Sequence, residues 1–292
     1  MNTPFYTIIT PCLNAGDKLN QTLDSVLAQT FQDYEIIVKD AGSTDGSIES
    51  MRRDRRIRLV RAKDAGIYDG MNQALPLANG EFLCFLNCGD ILHGATILEK
   101  VEKEITSRID GAEEKEMAAR LSGNHMSGKH SAGSPAAGIF YGDVIELQTG
   151  QHVAANPHMT HLAMYRNLPC HQACFYSRDL FRERGFDIRY QVRADYEHFL
   201  WCVIEKGAPA VAMPVIVSDY EGGGYSETQE NRRISAAEHE EITGRYFSEA
   251  ELRRFRRYMV LTLQPLRERI AQSPKTAVLY DKVKNRLYGR QA

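Results

Sequence analysis

Acidic residues stand at three places in the chain beside apolar runs. Asp90 closes Phe82-Leu-Cys-Phe-Leu-Asn-Cys-Gly-Asp90, in which four of the first five residues are large and apolar, a run suited to a buried strand. Asn87-Cys88-Gly89-Asp90 is small and polar, as a tight turn requires. A carboxylate just past a buried strand can hold a hard divalent cation against phosphates, or it can cap the helix expected over His93–Glu104. Asp40 follows the β-rich run Tyr34–Lys39 and opens the turn cluster Asp40-Ala-Gly-Ser-Thr-Asp-Gly46, after which a helix is expected. Asp195 and Glu197 make the first turn of a helix over Asp195–Lys206 acidic, with Phe199, Leu200 and Val203 facing the core.

The elements that must position these residues alternate. Phe5–Thr10 is a strand halted by Pro11, and Asn14–Asp17 offers caps for a helix carrying Leu19, Leu23, Val26 and Leu27. Ile57–Arg61 is a third strand, Ile67–Ala78 a helix, and Phe82–Leu86 a fourth strand. Such alternation predicts an α/β fold with a mostly parallel central sheet flanked by helices. Ligands in such sheets bind beyond the carboxyl ends of the strands. Those ends here are Thr10, Asp40 with Gly42 and Ser43, and Asn87 to Asp90. Residues 110–138 lack apolar periodicity and read as a mobile insertion, whose His125 and His130 are expected to be solvated. Ile139–Leu147 and Val211–Val217 are further strands, Ser177–Gly185 a short helix, and Gly222-Gly-Gly224 a flexible loop.

Composition bounds the partners. At 292 residues, 43% hydrophobic and 25% charged, the chain suits one large globular domain with an appendage: 1–244, then a helical tail 245–292. The net charge of -2 hides an asymmetry. The tail holds twelve Lys/Arg and four acids, leaving +8, whereas residues 1–244 hold 24 basic and 34 acidic groups. Leu252, Phe255, Met259, Leu263, Leu266 and Ile270 form an apolar stripe, bent at Pro265, with Arg253, Arg254, Arg256 and Arg257 on other faces. That helix either packs its stripe on its own domain or docks on an anionic surface. Six scattered cysteines without Cys-x-x-Cys pairing predict reduced, mostly buried thiols and no zinc. No apolar run approaches the ~20 residues that span a bilayer, and Met1–Pro11 lacks a signal pattern, so a cytoplasmic protein is expected.

Several stretches in order make the chain resemble family 2 inverting glycosyltransferases of the GT-A, nucleotide-diphospho-sugar transferase fold. These are Thr10–Asn14, Ser25–Phe31, Glu35–Gly46 and Asp64–Asn72. Downstream, His171-Gln172, Gly185–Asp187, Ala194–Leu200 and Gly222–Ser226 resemble the bacterial subgroup that builds colanic acid and other exopolysaccharides. The resemblance implies transfer from a UDP- or GDP-type nucleotide-diphosphate sugar to a hydroxyl of a glycan or lipid-linked acceptor, without nucleic acid as partner. It implies work at the inner face of the membrane, where the basic tail would hold the enzyme.

By the same resemblance Thr10, Pro11, Asn14, Asp40, Gly42, Ser43, Asp64, Asp69, Asn72 and Asn87 bind the donor, with helix capping an equal alternative for Asp64 and Asp69. Asp45 suits a cap on the helix expected after Gly46. Asn87-Cys88-Gly89-Asp90 stands at the family's Asp-x-Asp site, leaving Asp90 as the clear carboxylate ligand for Mn²⁺ or Mg²⁺. Asp195 matches the catalytic carboxylate, which a helix N-terminus would keep ionised as a general base requires. His171, Gln172 and Glu197 would contact acceptor or diphosphate, with a satisfied core histidine the alternative for His171, and Gly222–Ser226 would close over the donor. Two other classes remain open: a non-catalytic nucleotide-sugar or glycan-binding protein on this fold, and a sugar nucleotidyltransferase. The latter lacks its basic loop, because no basic residue precedes Lys18 after the first strand.

Overall fold

A computed structural model describes residues 3–121, 137–222 and 228–262. Among these, nine strands join in one sheet. β1 (Tyr6–Cys12), β2 (Tyr34–Asp40), β3 (Ile57–Arg61) and β4 (Phe82–Phe85) lie parallel in the order β3-β2-β1-β4. β8 (Cys174–Ser177) then pairs antiparallel with β4 and with β6 (Ile139–Glu146). β6 runs parallel to β9 (Ala210–Tyr220), which pairs with the two-residue β5 (Ile91–Leu92), while β7 (Gln151–Val153) flanks β6. The parallel arrangement expected from the sequence thus holds for the first four strands, and the second half is mixed.

Alternation along the buried strands sends neighbouring residues into separate cores. Ile9, Ile37 and Phe85 face one core with Met71 of α2 (Ile67–Ala74) and Phe199 of α5 (Ala194–Leu200). Ile8, Ile36 and Cys84 face the other, with Leu23 of α1 (Lys18–Leu27) and Val101 of α3 (Ile97–Leu121). Both sheet faces are covered, which is why these strands read as continuous apolar runs. At Gly80 a Cβ would collide with the backbone nitrogen of Thr7, so only glycine lets this loop lie on β1.

Several expectations change. β1 runs through Pro11 to Cys12. Odd residues of β1 bond toward β4, which stops pairing at Ile9↔Phe85, so Pro11 removes no donor from the ladder. Residues after Gly46 form a turn rather than a helix, and Asp45 accepts from Ser47 and Gly16. α3 continues to Leu121, so the first part of the stretch read as a mobile insertion is helical. His125, His130 and the rest of that stretch lie outside the described residues. Ser177–Gly185 holds only a 3-10 turn at Arg178–Phe181, and α5 passes into a π-helical turn at Trp201–Glu205. β5, β7, β8, α4 (His161–Arg166) and α6 (Gln229–Tyr246) are additional. α7 (Glu249–Leu261) opens on a Ser248/Glu251 capping box and buries Leu252 and Phe255 in the core shared with α5, so the described start of the stripe packs on its own domain. Leu263, Pro265, Leu266 and Ile270 lie outside the described residues. No helix among the described residues is long and apolar enough to cross a membrane.

Candidate active site

The ends of β1, β2 and β4 open on one crevice, and a chain of polar side chains crosses it. Asp195 sits in the first turn of α5 with 28% of its side chain exposed. Its Oδ1 accepts from its neighbour Tyr196 N at 2.9 Å and lies 2.8 Å from the Tyr68 hydroxyl, which also lies 2.9 Å from Val192 O. Burial, then the Asp195 charge, pushes the Tyr68 phenol well above its ordinary value, so it stays a neutral donor. Oδ2 of Asp195 lies 3.7 Å from His171 Nδ1. His171 Nε2 is 2.9 Å from Asn87 Nδ2. An amide NH₂ only donates, so Nε2 accepts and the imidazole proton resides on Nδ1, facing the carboxylate. Asn87 Oδ1 is buried without a hydrogen-bond partner.

The turn after β4 is fixed from α1. Thr22 Oγ1 accepts from Gly89 N at 2.9 Å and donates to Asp90 O at 2.8 Å, and Asp90 N donates to Asn87 O at 3.0 Å. Gly89 holds φ +101, which favours glycine. Burial pushes the Asp90 carboxyl up to about 6; nearby Glu221 adds to this, while His171, the Glu221 backbone N–H and Lys18 oppose it. Glu221 is ion-paired with Lys18. No group of three or more His, Cys, Asp or Glu among the described residues could by itself hold a metal. The half-buried Asp90 carboxylate and the unpartnered Asn87 Oδ1 make a partial oxygen set, which suits a cation that takes its other ligands from phosphate and water.

A second cluster closes the crevice at β1 and β2. Ser43 Oγ accepts from Asn14 N at 2.9 Å and lies 2.5 Å from Asp40 Oδ1, and Asn14, at φ +49, accepts from Thr44 N. Asp40 is fully buried, with its other oxygen 2.9 Å from Arg61 Nε. Burial raises its pKa, but hydrogen bonds from Ser43 and the Ser43 and Gly42 backbone, with Arg61, outweigh it and hold the carboxyl below its ordinary value. The carboxylate therefore braces the Gly42-Ser43 turn. Thr10 is buried with its hydroxyl unpartnered, and Pro11 is half-buried, its carbonyl accepting from Cys88.

Other residues singled out by sequence are committed to the scaffold. Asp64 pairs with buried Lys39 at 2.8 Å, and Asp69 accepts from Ala65 N and Gln73 at the start of α2. Asn72 clamps both backbone groups of Phe186 at 2.8 Å. Gln172 is buried beside His171. Glu197 corrects an expectation: it does not face an acceptor. Residues two apart on a helix point to opposite sides. Glu197 is thus fully buried, held by Arg184 at 2.8 and 3.0 Å, by Tyr246 and by Arg245 at 3.4 Å. Sequence reasoning missed Tyr68, Arg61 and the Lys18–Glu221 pair; Tyr68 lies within Asp64–Asn72, where its neighbours drew attention. A cavity of about 310 Å³ opens beside His171, lined by Val144, Ala155, Asn156, Arg166, Leu168 and Cys170 among others. Of the expected lid only Gly222 belongs to the described residues; 223–226 lie outside them.

The sequence profile described as Glycosyl transferase family 2 matches residues 7–108. A relative from Mycobacterium bovis, the PGL/p-HBAD biosynthesis glycosyltransferase, is 32% identical over 235 residues, 78% of this chain and 81% of its own length. Among solved structures, a Pyrobaculum calidifontis mannosyltransferase in complex with GDP-Man and Mn²⁺ has a TM-score of 0.53 at 14% identity, over 100% of this chain and 89% of its own. S. aureus TarS 1–349 in complex with UDP-GlcNAc has a TM-score of 0.56 at 16% identity, over 84% of this chain and 68% of its own. These two likenesses show the GT-A fold.

Proposed function

The chain belongs to glycosyl transferase family 2 and is a glycosyltransferase; from that premise we propose that it performs inverting, metal-assisted transfer from a nucleotide-diphosphate sugar to a hydroxyl of a glycan or lipid-linked acceptor during surface polysaccharide synthesis. The observation that carries this reading is the run Tyr68–Asp195–His171–Asn87, which reaches from a candidate base to the turn bearing Asp90. Asp195, oriented by Tyr68, takes the acceptor's hydroxyl proton as its oxygen bonds to the anomeric carbon and the bond to the diphosphate breaks on the opposite face. His171, its Nδ1 proton toward Asp195, fixes the carboxylate's second oxygen. Asp90 and Asn87 Oδ1 would hold Mn²⁺ or Mg²⁺. A divalent cation in that place neutralises charge on the departing diphosphate.

A UDP- or GDP-type donor is supported by the ligands named for the two structural neighbours. The Asn14–Ser43 cluster and the ends of β1 and β2 would receive the nucleotide. Four exposed arginines on α7, Arg253, Arg254, Arg256 and Arg257, support residence at the inner, anionic face of the membrane. The lone carboxylate in Asn87–Asp90 favours a second reading, a nucleotide-sugar-binding protein without turnover. Calorimetry with UDP- and GDP-sugars plus Mn²⁺, followed by product analysis on Asp195→Asn, separates the two. Binding retained with transfer lost supports the base; full transfer by Asp195→Asn removes it. Asp90→Ala or EDTA should weaken donor binding, and unchanged binding in EDTA argues against a cation here.

A further inference from the structure

The turn after β4 offers a cation one carboxylate, and a second leans over it from β9. β5 begins at Ile91, directly after Asp90, and pairs antiparallel with β9 through Ile91↔Asp219 and Leu92↔Ser218. That pairing carries the end of β9 across the turn. A Cβ built on Gly89 would stand 3.3 Å from Glu221 Oε2, so this carboxylate lies where a side chain at position 89 would begin. The backbone N–H of Glu221 donates to the Asp90 carboxylate. Lys18, at the start of α1, covers Gly89 as well, with its Cδ 3.4 Å from the same point. Its ammonium is ion-paired with Glu221, and each side chain keeps 50% of its surface exposed. An exposed pair of this kind shifts an equilibrium by no more than about fivefold, so Glu221 can leave Lys18 at little cost. Two carboxylates brought together over one turn repel unless a cation stands with them. One ammonium neutralises half of that charge; a divalent ion matches all of it. The buried Asn87 Oδ1, without a hydrogen-bond partner, adds a neutral oxygen at the other end of the turn.

We propose that Glu221 is the second carboxylate of the cation site, filling the place that glycine leaves open at position 89, and that Lys18 is the counter-charge that holds it there until Mn²⁺ or Mg²⁺ binds. Glu221 then turns from Lys18 to the ion, beside Asp90 and Asn87. A turn with a single acid thereby gains the further oxygen ligand that a hard cation favours, from a strand distant in sequence. This role rests on the cation reading proposed above.

The test measures Mn²⁺ bound to the full chain by loss of the free-ion electron paramagnetic resonance signal, alone and with UDP or GDP, beside thermal melts. Glu221→Gln should melt near the parent and bind Mn²⁺ at least about tenfold more weakly. Glu249→Gln, which removes an exposed acid on α7, should bind as the parent does. Lys18→Met, which frees the Glu221 carboxylate, should tighten Mn²⁺ binding without nucleotide by about two- to fivefold. Both substitutions at the pair break the same contact, so their opposite signs separate a ligand from a mere brace between α1 and β9. Parent-like Mn²⁺ binding by Glu221→Gln overturns the proposal, as does a Lys18→Met chain that binds Mn²⁺ no tighter than the parent. A parent chain that takes up no Mn²⁺ with either nucleotide overturns the cation reading and this role together. Binding that Asp90→Ala abolishes and Glu221→Gln leaves intact overturns this role alone.

Discussion

Exchanging the two acids of α5 one at a time separates chemistry from architecture. Glu197→Gln removes a fully buried negative charge from between Arg184, Arg245 and Tyr246. Arg184 stays in place, its guanidinium 4.5 Å from the Trp201 ring centroid, with no carboxylate to compensate it. Breaking one side of a buried pair costs roughly 3–5 kcal/mol. Arg184 and Arg245 keep 26% and 42% of their side chains exposed, so water recovers part of that and about 3 kcal/mol is expected. For a chain of this size each kcal/mol lowers Tm by roughly 2–4 °C, hence a fall of about 6–12 °C. Asp195→Asn touches a partly exposed group and should melt near the parent, while transfer drops by about 10²–10⁴-fold. Thermal melts and nucleotide-diphosphate release, measured on the same preparations below both melting points, check both halves. A Glu197→Gln protein that melts normally but no longer transfers, beside an active Asp195→Asn, would reverse the roles and refute the reasoning.

Other perturbations probe the frame around the base. His198 is stacked 4.2 Å from Phe181 and 5.5 Å from Trp201, and burial, with Arg184 adding, depresses its pKa to about 3. The unfolded chain takes up that proton below about 6.5, so stability is complete above pH 6.5 and falls progressively toward pH 3; at pH 5 the loss is about 2 kcal/mol. Urea melts at pH 7.5 and 5 should show that difference shrink in His198→Phe. Tyr68→Phe deletes a hydrogen bond to a charged group, about 1.5–3 kcal/mol, and should cut turnover by about 10–100-fold with donor affinity unchanged; a weakened affinity would place Tyr68 at the donor. Gly185→Ala sets a Cβ on Asn72 Oδ1 and should cost about 1–3 kcal/mol, read as a lower urea midpoint at constant m.

Unlike β3, a short, partly exposed strand with two arginines among its five residues, β1, β2 and β4 were legible because burial on both faces writes each as a mostly apolar run. Their ends pointed to the crevice for the same reason: the change from apolar to polar marks where the sheet stops. β5 and β7 span two and three residues, too short for any period to show. α6 is polar almost throughout and offers no apolar stripe to read. The helical continuation over 110–121 rests on good helix formers such as Ala, Glu, Lys and Met without amphipathic spacing. At the site, Asn87, His171 and Asp195 come together, whereas Glu197 and Asn72 serve the scaffold. Motif membership marks a neighbourhood; only the helix phase and hydrogen-bond partners tell which side chains face the crevice.

The interleaving of β8 between β4 and β6 bears on synthesis by the ribosome. Phe85 ends β4, but Cys174, which begins the strand that covers β4's open edge, emerges 89 residues later. At about 5–20 residues per second, that edge stays unpaired for roughly 4–18 s. The nascent sheet passes through an interval with an uncovered apolar strand at its rim, a natural point for chaperone capture and for loss to aggregation. For the same reason a fragment cut near residue 108, where the family profile ends, would carry the crevice's first three strand ends on a sheet that lacks its closing neighbour.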